Sequence, residues 1–285
     1  MIISRLTHGK WYGESDYLLK DHKIIDKLTP ETDIAIYSTQ PIDFADIKHL
    51  KGIVRLGAGY DNVPVKQCND AGIIMAYTSN APSQSVAEHT LALIMSSLRF
   101  TDRQHPTRLL SSLTIAIIGR GRIGKRVAYI LNRLGVKRLL VVDPVADTTF
   151  DECNNCQRVS LEVALISADI VSLHIPKDAE TLGMIGWYEL EIMQENAILI
   201  NTSRGGIVGE KHLLSHLRAH PRFKAALDVF EEEPYSGRLL CENNCICTPH
   251  VAAMTMEARR RMEQEAMEAV LSIAQGRKPE WAIPI

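Results

Sequence analysis

Short apolar runs of strand length alternate along the chain with longer stretches in which apolar residues recur at helical spacing. The runs cover residues 1–4, 33–38, 52–57, 73–77, 113–119, 139–143, 169–176, 197–201, 224–229 and 246–248. Helical spacing is clear where Val127, Ile130, Leu131 and Leu134 fall at i, i+3, i+4 and i+7. Because nearly continuous apolar strands are typical of a parallel sheet covered on both faces, the pattern predicts a doubly wound α/β fold.

A polar and basic segment with a proline, residues 99–112, separates a helix predicted over 86–98 from a new strand. We interpret this segment as a crossing between two domains. A long helix predicted near 255–275 is placed to return to the first domain. We therefore predict a discontinuous domain of residues 1–98 and 256–285 and a second domain of residues 99–255. A chain of 285 residues suits two such cores.

Composition narrows the function without identifying it. The chain is 46% hydrophobic and 23% charged, and its formal net charge is −2, so no basic field favours nucleic acid or an anionic membrane. No apolar run approaches the ~20 residues that cross a bilayer. The N-terminal apolar stretch is too short for a secretory signal, which leads us to expect a cytoplasmic protein with reduced thiols. The pair Cys153 and Cys156 lacks a second half-site, so no metal site is predicted.

A glycine-rich turn gives the first chemical indication. Gly119, Gly121 and Gly124 form a GxGxxG pattern that follows a predicted strand and opens a predicted helix, and the next strand ends at Asp143. This arrangement is typical of dinucleotide-binding sites. There the first glycine permits the turn, the second lets the backbone approach a pyrophosphate, and the third allows close packing of helix and strand.

Asp143 bears on the choice of coenzyme. A carboxylate at this position accepts hydrogen bonds from the adenosine ribose and repels a 2′-phosphate, and residues 144–146 contain no arginine to bind one. The sequence therefore favours NAD over NADP. We expect Arg120, inside the glycine turn, to lie over the phosphates or to point into solvent.

Three polar groups follow three predicted strands. Arg204 stands on a glycine bend, Asp228 precedes a run of glutamates at 231–233, and His250 comes directly after a proline. Ligands of open parallel sheets bind beyond the carboxyl ends of the strands, so these groups are expected at one edge. Reduction of a 2-oxo acid requires a guanidinium to bind the substrate carboxylate, an imidazole to transfer a proton and a carboxylate to orient the imidazole.

The motifs GRGRIG, VVDP, LHIPKDAETLGMIG, INTSRGGIV, AALDVFEEEP and TPH, in this order, resemble those of the D-isomer-specific 2-hydroxyacid dehydrogenase family. Upstream, LGAGYDNV (56–63) and SVAEHTLALI (85–94) resemble the substrate loop and an interface helix of that family. The resemblance implies a Rossmann NAD-binding domain and a flavodoxin-like substrate domain with the active cleft between them. It also implies an NAD-dependent oxidoreductase that acts on a small D-2-hydroxy acid or 2-oxo acid.

Carried over by motif, the family's catalytic residues correspond to Arg204, Glu233 and His250, with His250 as general acid/base, Glu233 as its partner and Arg204 on the substrate carboxylate or carbonyl. The resemblance also implies substrate contacts from the 57–59 loop and cofactor contacts across the second domain. The substrate-binding residues would be Gly57, Ala58, Gly59 and Arg204, and the cofactor-binding residues would be Gly119, Gly121, Arg122, Ile123, Gly124, Asp143, His174, Pro176, Thr202 and Asp228.

Several alternatives stay open at this stage. A corepressor-type protein that senses NAD(H) shares the expected fold, as does an enzyme that oxidises formate or phosphite. A homodimer is expected, but the 99–112 crossing is shorter than in relatives, which leaves the dimer geometry open. Arg55 is expected to be exposed to solvent rather than bound to a substrate phosphate, and His89 to be a packed or capping residue of its helix.

Overall fold

The computed structural model describes residues 1–7, 11–38, 43–99 and 107–283. Its residues group into two compact units, one formed by Met1–Ser83 and Ala253–Ile285 and the other by Gln84–Ala252. The helix that the sequence analysis placed at the end of the first domain therefore groups with the second unit. Half of the predicted crossing, residues 100–106, lies outside the described residues, so the expectations attached to it stay predictions.

The first unit contains a parallel five-stranded sheet in the order β2-β1-β3-β4-β5. Its strands are β1 Ile2–Leu6, β2 Lys23–Ile25, β3 Ile34–Tyr37, β4 Gly52–Arg55 and β5 Ile74–Tyr77, and its helices are α1 Phe44–Ile47, α2 Val65–Asp70 and, from the C-terminal segment, α9 Met256–Ala274. This strand order is that of flavodoxin-like folds.

The second unit contains a parallel seven-stranded sheet in the order β12-β11-β10-β9-β6-β7-β8. Its strands are β6 Thr114–Ile118, β7 Arg138–Val142, β8 Cys156–Arg158, β9 Ile170–Leu173, β10 Ile198–Asn201, β11 Lys224–Leu227 and β12 Cys245–Cys247. Its helices are α3 Ser83–Arg99, which starts at the unit boundary, α4 Arg122–Arg133, α5 Thr148–Cys153, α6 Leu161–Ser167, α7 Trp187–Glu191 and α8 Glu210–Ala219. Taken in chain order, the first six strands are arranged 3-2-1-4-5-6, the Rossmann order.

Both sheets are buried on both faces, as the continuous apolar runs predict. In β6, Ile115 and Ile117 belong to one apolar cluster, and Ala116 and Ile118 belong to the cluster on the opposite face. Successive side chains of a strand point to opposite faces, so a strand buried on both sides is apolar at every position. The predicted α/β class with two doubly wound parallel sheets is confirmed.

The short strands β2 and β8 were not predicted, because three residues with exposed polar positions give no apolar run. Within the part of the chain that the structure describes, no helix has both the length and the apolar character needed to cross a membrane.

Candidate active site

The glycine turn lies where the strand order of the second unit reverses, between β6 and β9. Gly119 directly follows β6 with φ of +90°, and a Cβ there would lie 2.5 Å from the carbonyl oxygen of His174, which follows β9. A Cβ on Gly124 would lie 2.0 Å from the carbonyl oxygen of Gly119. Both glycines are therefore required by the protein's own packing, as the sequence analysis expected.

Gly121 has a different environment. Its φ is −73°, and a Cβ there would meet no protein atom within 4 Å. It is the N-cap of α4 and provides no side-chain cap to the helix that begins with Arg122 and Ile123. A helix N-terminus offers backbone N–H groups and partial positive charge to an anion. Open space beside such a terminus fits the pyrophosphate of a dinucleotide.

Asp143 lies just past β7, and its carboxylate accepts hydrogen bonds from the backbone N–H of Arg120 (2.7 Å) and of Val145 (2.9 Å). The expectation for the Arg120 side chain was wrong. It is 4% exposed, pairs with Asp151 and donates to the carbonyl oxygen of Val145, because the turn points it under the segment after β7. The exposed side chain of Arg158 also reaches this segment and donates to the carbonyl oxygen of Asp143.

The bend after β10 fixes the backbone of Arg204. Asn201 donates from its amide to the Arg204 carbonyl oxygen (2.9 Å) and accepts from the Ser203 N–H (3.0 Å). A Cβ on Gly205 would lie 1.7 Å from the carbonyl oxygen of Phe230, so only glycine permits this approach. The half-buried guanidinium of Arg204 donates to the Ser203 carbonyl oxygen (2.7 Å).

His250 and Glu233 form a hydrogen-bonded pair. Nδ1 of His250 lies 2.6 Å from Oε2 of Glu233, and the two side chains are 36% and 34% exposed. Of the three glutamates, Glu231 bonds instead with Glu210 at the start of α8, and Glu232 is exposed. The sequence motif and the observed contact therefore select the same glutamate.

The pKa of Glu233 reflects two opposing effects. Burial alone would raise it, but the hydrogen bond and charge of His250, together with the Phe230 N–H at 3.1 Å, hold it below the usual value for glutamate. Glu233 is therefore an anion at neutral pH. His250 has a φ of +52°, which is uncommon for a residue other than glycine, and residues in such conformations cluster at functional sites.

Asp228 anchors the segment that holds His250. Its fully buried carboxylate accepts hydrogen bonds from the Thr248 hydroxyl (2.5 Å) and from the N–H groups of Val251 and Ala252 (3.0 Å each). Nε2 of His89 lies 3.4 Å from Oδ1 of Asp228. Burial would raise the pKa of Asp228, but the hydrogen bonds from His89, Thr248 and the two N–H groups lower it overall. The sequence analysis did not find the roles of Thr248 and His89, because α3 and the strand ends are distant in the chain.

The other predicted cofactor residues also follow strand ends of this sheet. The His174 ring bonds to the Ser172 hydroxyl through Nε2 (2.9 Å), and its buried Nδ1 has no hydrogen-bond partner among the described residues. Burial lowers the pKa of His174 to about 3, so the ring is neutral. Pro176 is exposed, whereas the buried Thr202 hydroxyl bonds to that of Thr90 (2.8 Å).

The predicted substrate loop belongs to the first unit. Gly57 has φ of +121°, and its N–H donates to the Thr78 hydroxyl (2.6 Å), while Ala58 and Gly59 are partly exposed. The prediction that Arg55 is exposed was wrong: it is 8% exposed, and Nη1 lies 2.5 Å from where a Cβ on Gly57 would stand. The missing side chain of Gly57 makes room for this guanidinium.

Comparisons with known proteins agree with this arrangement. Residues 84–252 match the family model described as the NAD-binding domain of D-isomer-specific 2-hydroxyacid dehydrogenases. A glyoxylate reductase of Korarchaeum cryptofilum is 34% identical over 263 residues, which cover 85% of this chain and 79% of that protein. The chain belongs to the D-isomer-specific 2-hydroxyacid dehydrogenase family. The predicted family and the predicted coenzyme, NAD, are thereby confirmed.

Two further relatives extend the likeness over nearly the whole chain. A hydroxypyruvate reductase of Thermotoga maritima is 31% identical, with 90% of this chain and 89% of that protein covered. The crystal structure of a D-lactate dehydrogenase from Aquifex aeolicus, complexed with NAD and lactic acid, has a TM-score of 0.86 and 26% identity, with 97% and 96% covered. The family and these relatives support NAD-dependent 2-hydroxyacid dehydrogenase activity.

Proposed function

We propose that this protein interconverts a small 2-oxo acid and the corresponding D-2-hydroxy acid, with His250 as general acid and base, Glu233 as its partner and Arg204 as the substrate-binding cation. The observation that carries the proposal is the 2.6 Å contact between Nδ1 of His250 and Oε2 of Glu233. An imidazole held by an ionised carboxylate is suited to proton transfer near neutral pH.

The geometry of the pair supports separate tasks for the two ring nitrogens. Nδ1 is engaged with Glu233, which leaves Nε2 for the substrate. In the direction of reduction, Nε2 donates its proton to the oxygen at C2 as that oxygen acquires negative charge. Glu233, which is ionised, stabilises the imidazolium before this transfer. In the direction of oxidation, neutral Nε2 accepts the hydroxyl proton.

Arg204 is the candidate for binding the substrate carboxylate or carbonyl. A guanidinium presents a planar set of donors that matches a carboxylate. The backbone of Arg204 is fixed by Asn201 and by the close approach of Gly205 to Phe230. A fixed position matters, because a small shift of the reacting atoms slows a reaction strongly. Contacts from Gly57, Ala58 and Gly59 to the substrate stay a prediction.

The residues around the glycine turn fit NAD(H), which when bound supplies or accepts the hydride at C2. Gly119, Gly121, Gly124 and the N–H groups of Arg122 and Ile123 would hold the pyrophosphate. Asp143, just past β7, would bind the adenosine ribose. Contacts to the nicotinamide stay predictions for His174, Pro176, Thr202 and Asp228. The hydrogen bonds of Asp228 to residues 248–252 also favour a role in holding the segment that carries His250.

The test is His250→Ala, assayed by NADH oxidation with glyoxylate, hydroxypyruvate and pyruvate, which are suggested by the names of the relatives. We expect turnover to fall by about 10²–10⁴-fold, the usual contribution of general acid–base catalysis, with NADH affinity retained. His212→Ala, an exposed histidine of α8, is the matched control. A His250→Ala variant that keeps most of its reductase rate would refute the proposed role.

The relatives reported above do not support the alternative of an NAD(H)-sensing protein or of formate or phosphite oxidation. The same assay separates the alternatives. Binding of NADH without turnover of any 2-oxo acid would favour a sensor, and NAD reduction by formate or phosphite would favour the third function. A homodimer and a cytoplasmic location remain part of the proposal.

A further inference from the structure

Three side chains that commonly bind metals meet where helices α7 and α8 end. Glu191 is the last residue of α7, His216 lies in the last turn of α8, and His220 directly follows α8. Nδ1 of His216 lies 3.2 Å from Oε1 of Glu191, and Nε2 of His220 lies 3.6 Å from the same oxygen. All three ligand atoms lie within 4.8 Å of one another.

These separations fit a single metal ion. Zinc binds histidine nitrogen and carboxylate oxygen at about 2.0–2.2 Å in tetrahedral geometry, which places neighbouring ligand atoms on the order of 3.4 Å apart. The two measured separations lie close to this value. The third separation is no more than 4.8 Å, and it involves the imidazole of His220, which is partly exposed.

The local structure brings the two histidines together. Residues at i and i+4 share one face of a helix, and the rings of His216 and His220 stack with centroids 4.1 Å apart. The buried His216 ring also packs edge-on against Phe223 at 4.6 Å, which fixes its orientation.

The charges nearby also suit a cation. The carboxyl end of α8 carries partial negative charge, and Glu191 adds a full one. Arg222, the cation two residues after His220, pairs with Glu195. Because Glu191 is exposed, water has access to complete the coordination.

We propose that Glu191, His216 and His220 form a binding site for one divalent cation of the zinc class, which links the ends of α7 and α8. Two imidazoles and one carboxylate suit zinc, copper or nickel better than magnesium or calcium, which prefer oxygen ligands. The three ligands lie on elements other than the glycine turn and the segments that carry Arg204, Glu233 and His250. The site is therefore structural: the metal stabilises the second unit and leaves turnover unchanged.

The experiment uses the full chain without an affinity tag, freed of metal with a chelator. Zinc binding is measured by competition with a chromophoric chelator, and thermal unfolding is followed with and without zinc, with magnesium as the comparison ion. We expect one zinc ion per chain with an affinity in the micromolar range or tighter, and a higher midpoint of unfolding with zinc but not with magnesium.

Two variants remove one ligand each without opening the core, because Glu191 is exposed and His220 is only partly buried. Glu191→Gln and His220→Ala are each expected to weaken zinc binding by at least about tenfold. His212→Ala, one turn before His216 and outside the cluster, is expected to change nothing.

Three results would overturn the proposal. The first is absence of zinc binding by the unmodified chain. The second is zinc binding that survives both ligand variants, which would place the ion elsewhere, for instance on cysteine thiols. The third is an equal loss in the His212→Ala variant.

Discussion

Replacement of Glu233 by glutamine tests the central contact of the proposed active site. Oε2 of Glu233 lies 2.6 Å from Nδ1 of His250, and Oε1 accepts from the Phe230 N–H at 3.1 Å. Glutamine has nearly the same shape, and its amide oxygen is able to keep one of these bonds. The substitution therefore removes the negative charge beside the imidazole and leaves the packing in place.

The magnitude follows from the exposure of the pair. A hydrogen bond to a charged group contributes about 1.5–3 kcal/mol. Because His250 and Glu233 are 36% and 34% exposed, solvent screening places this contact in the lower part of that range, about 1.5–2 kcal/mol. At about 1.4 kcal/mol per factor of ten, Glu233→Gln is expected to lower kcat/KM about 10–30-fold.

The assay is steady-state reduction of a 2-oxo acid by NADH at neutral pH, with NADH affinity measured separately. Because the pKa of Glu233 is lowered, its anion is present at neutral pH and is available to stabilise the imidazolium that donates the proton. Without the anion, kcat/KM for reduction is expected to fall. NADH affinity is expected to stay unchanged, since the pair is assigned to proton transfer.

Glu232→Gln is the control, because this exposed residue differs from Glu233 by one position and has the same side chain. It is expected to keep both the rate and the NADH affinity of the unmodified protein. If the two variants behave alike, or if Glu233→Gln weakens NADH binding as much as it lowers kcat/KM, the pair does not act as proposed.

Three further predictions concern the second unit. Asp143→Ala is expected to lower kcat/KM with NADH by about tenfold and to reduce the preference for NADH over NADPH, since one charged acceptor for the ribose is lost. An unchanged ratio of kcat/KM with NADH to kcat/KM with NADPH would argue against that role. Gly205→Ala places a Cβ 1.7 Å from the Phe230 carbonyl oxygen and is expected to lower the free energy of unfolding, measured in urea, by more than about 3 kcal/mol. The control is Gly135→Ala, at φ of +74° with no atom within 4 Å, which is expected to lower it by about 1 kcal/mol. Because the pKa of Asp228 is lowered, its carboxylate stabilises the fold above pH 3.8, and this stabilisation is lost as pH falls through the lowered pKa. Asp228→Asn is expected to lower the free energy of unfolding by about 3 kcal/mol near pH 7 and to make that free energy depend less on pH in the acid range. An unchanged pH dependence would contradict this.

The sequence predicted the larger strands and the chemistry at their ends because both are local signals. An apolar run identifies a strand buried on both faces, and a polar residue after it marks the edge where ligands bind. Arg204, Glu233 and His250 were predicted in this way, with the family motif choosing among adjacent glutamates.

The hydrogen-bond network around the site was not predictable in the same way. His89 and Thr248 are 159 residues apart in the chain and 3.1 Å apart at their polar atoms. Arg55 was expected in solvent because arginine usually is, and Arg120 was expected over the phosphates or in solvent. Both are buried by partners that no local pattern reveals. For Arg120 the partner is Asp151 on α5, which only the folded chain brings beside the glycine turn.

The glycines of the GxGxxG turn distinguish what the fold requires from what the ligand requires. Gly119 and Gly124 are explained by protein atoms, since a Cβ on either would overlap a carbonyl oxygen. Gly121 is not: its φ of −73° suits any residue, and a Cβ there would meet nothing within 4 Å. A glycine beside open space at a helix N-terminus keeps that space free for a group that is not part of the chain. The open space at Gly121 thus supports the proposal that a pyrophosphate binds there, because it is an observation of the packing that adds to the motif.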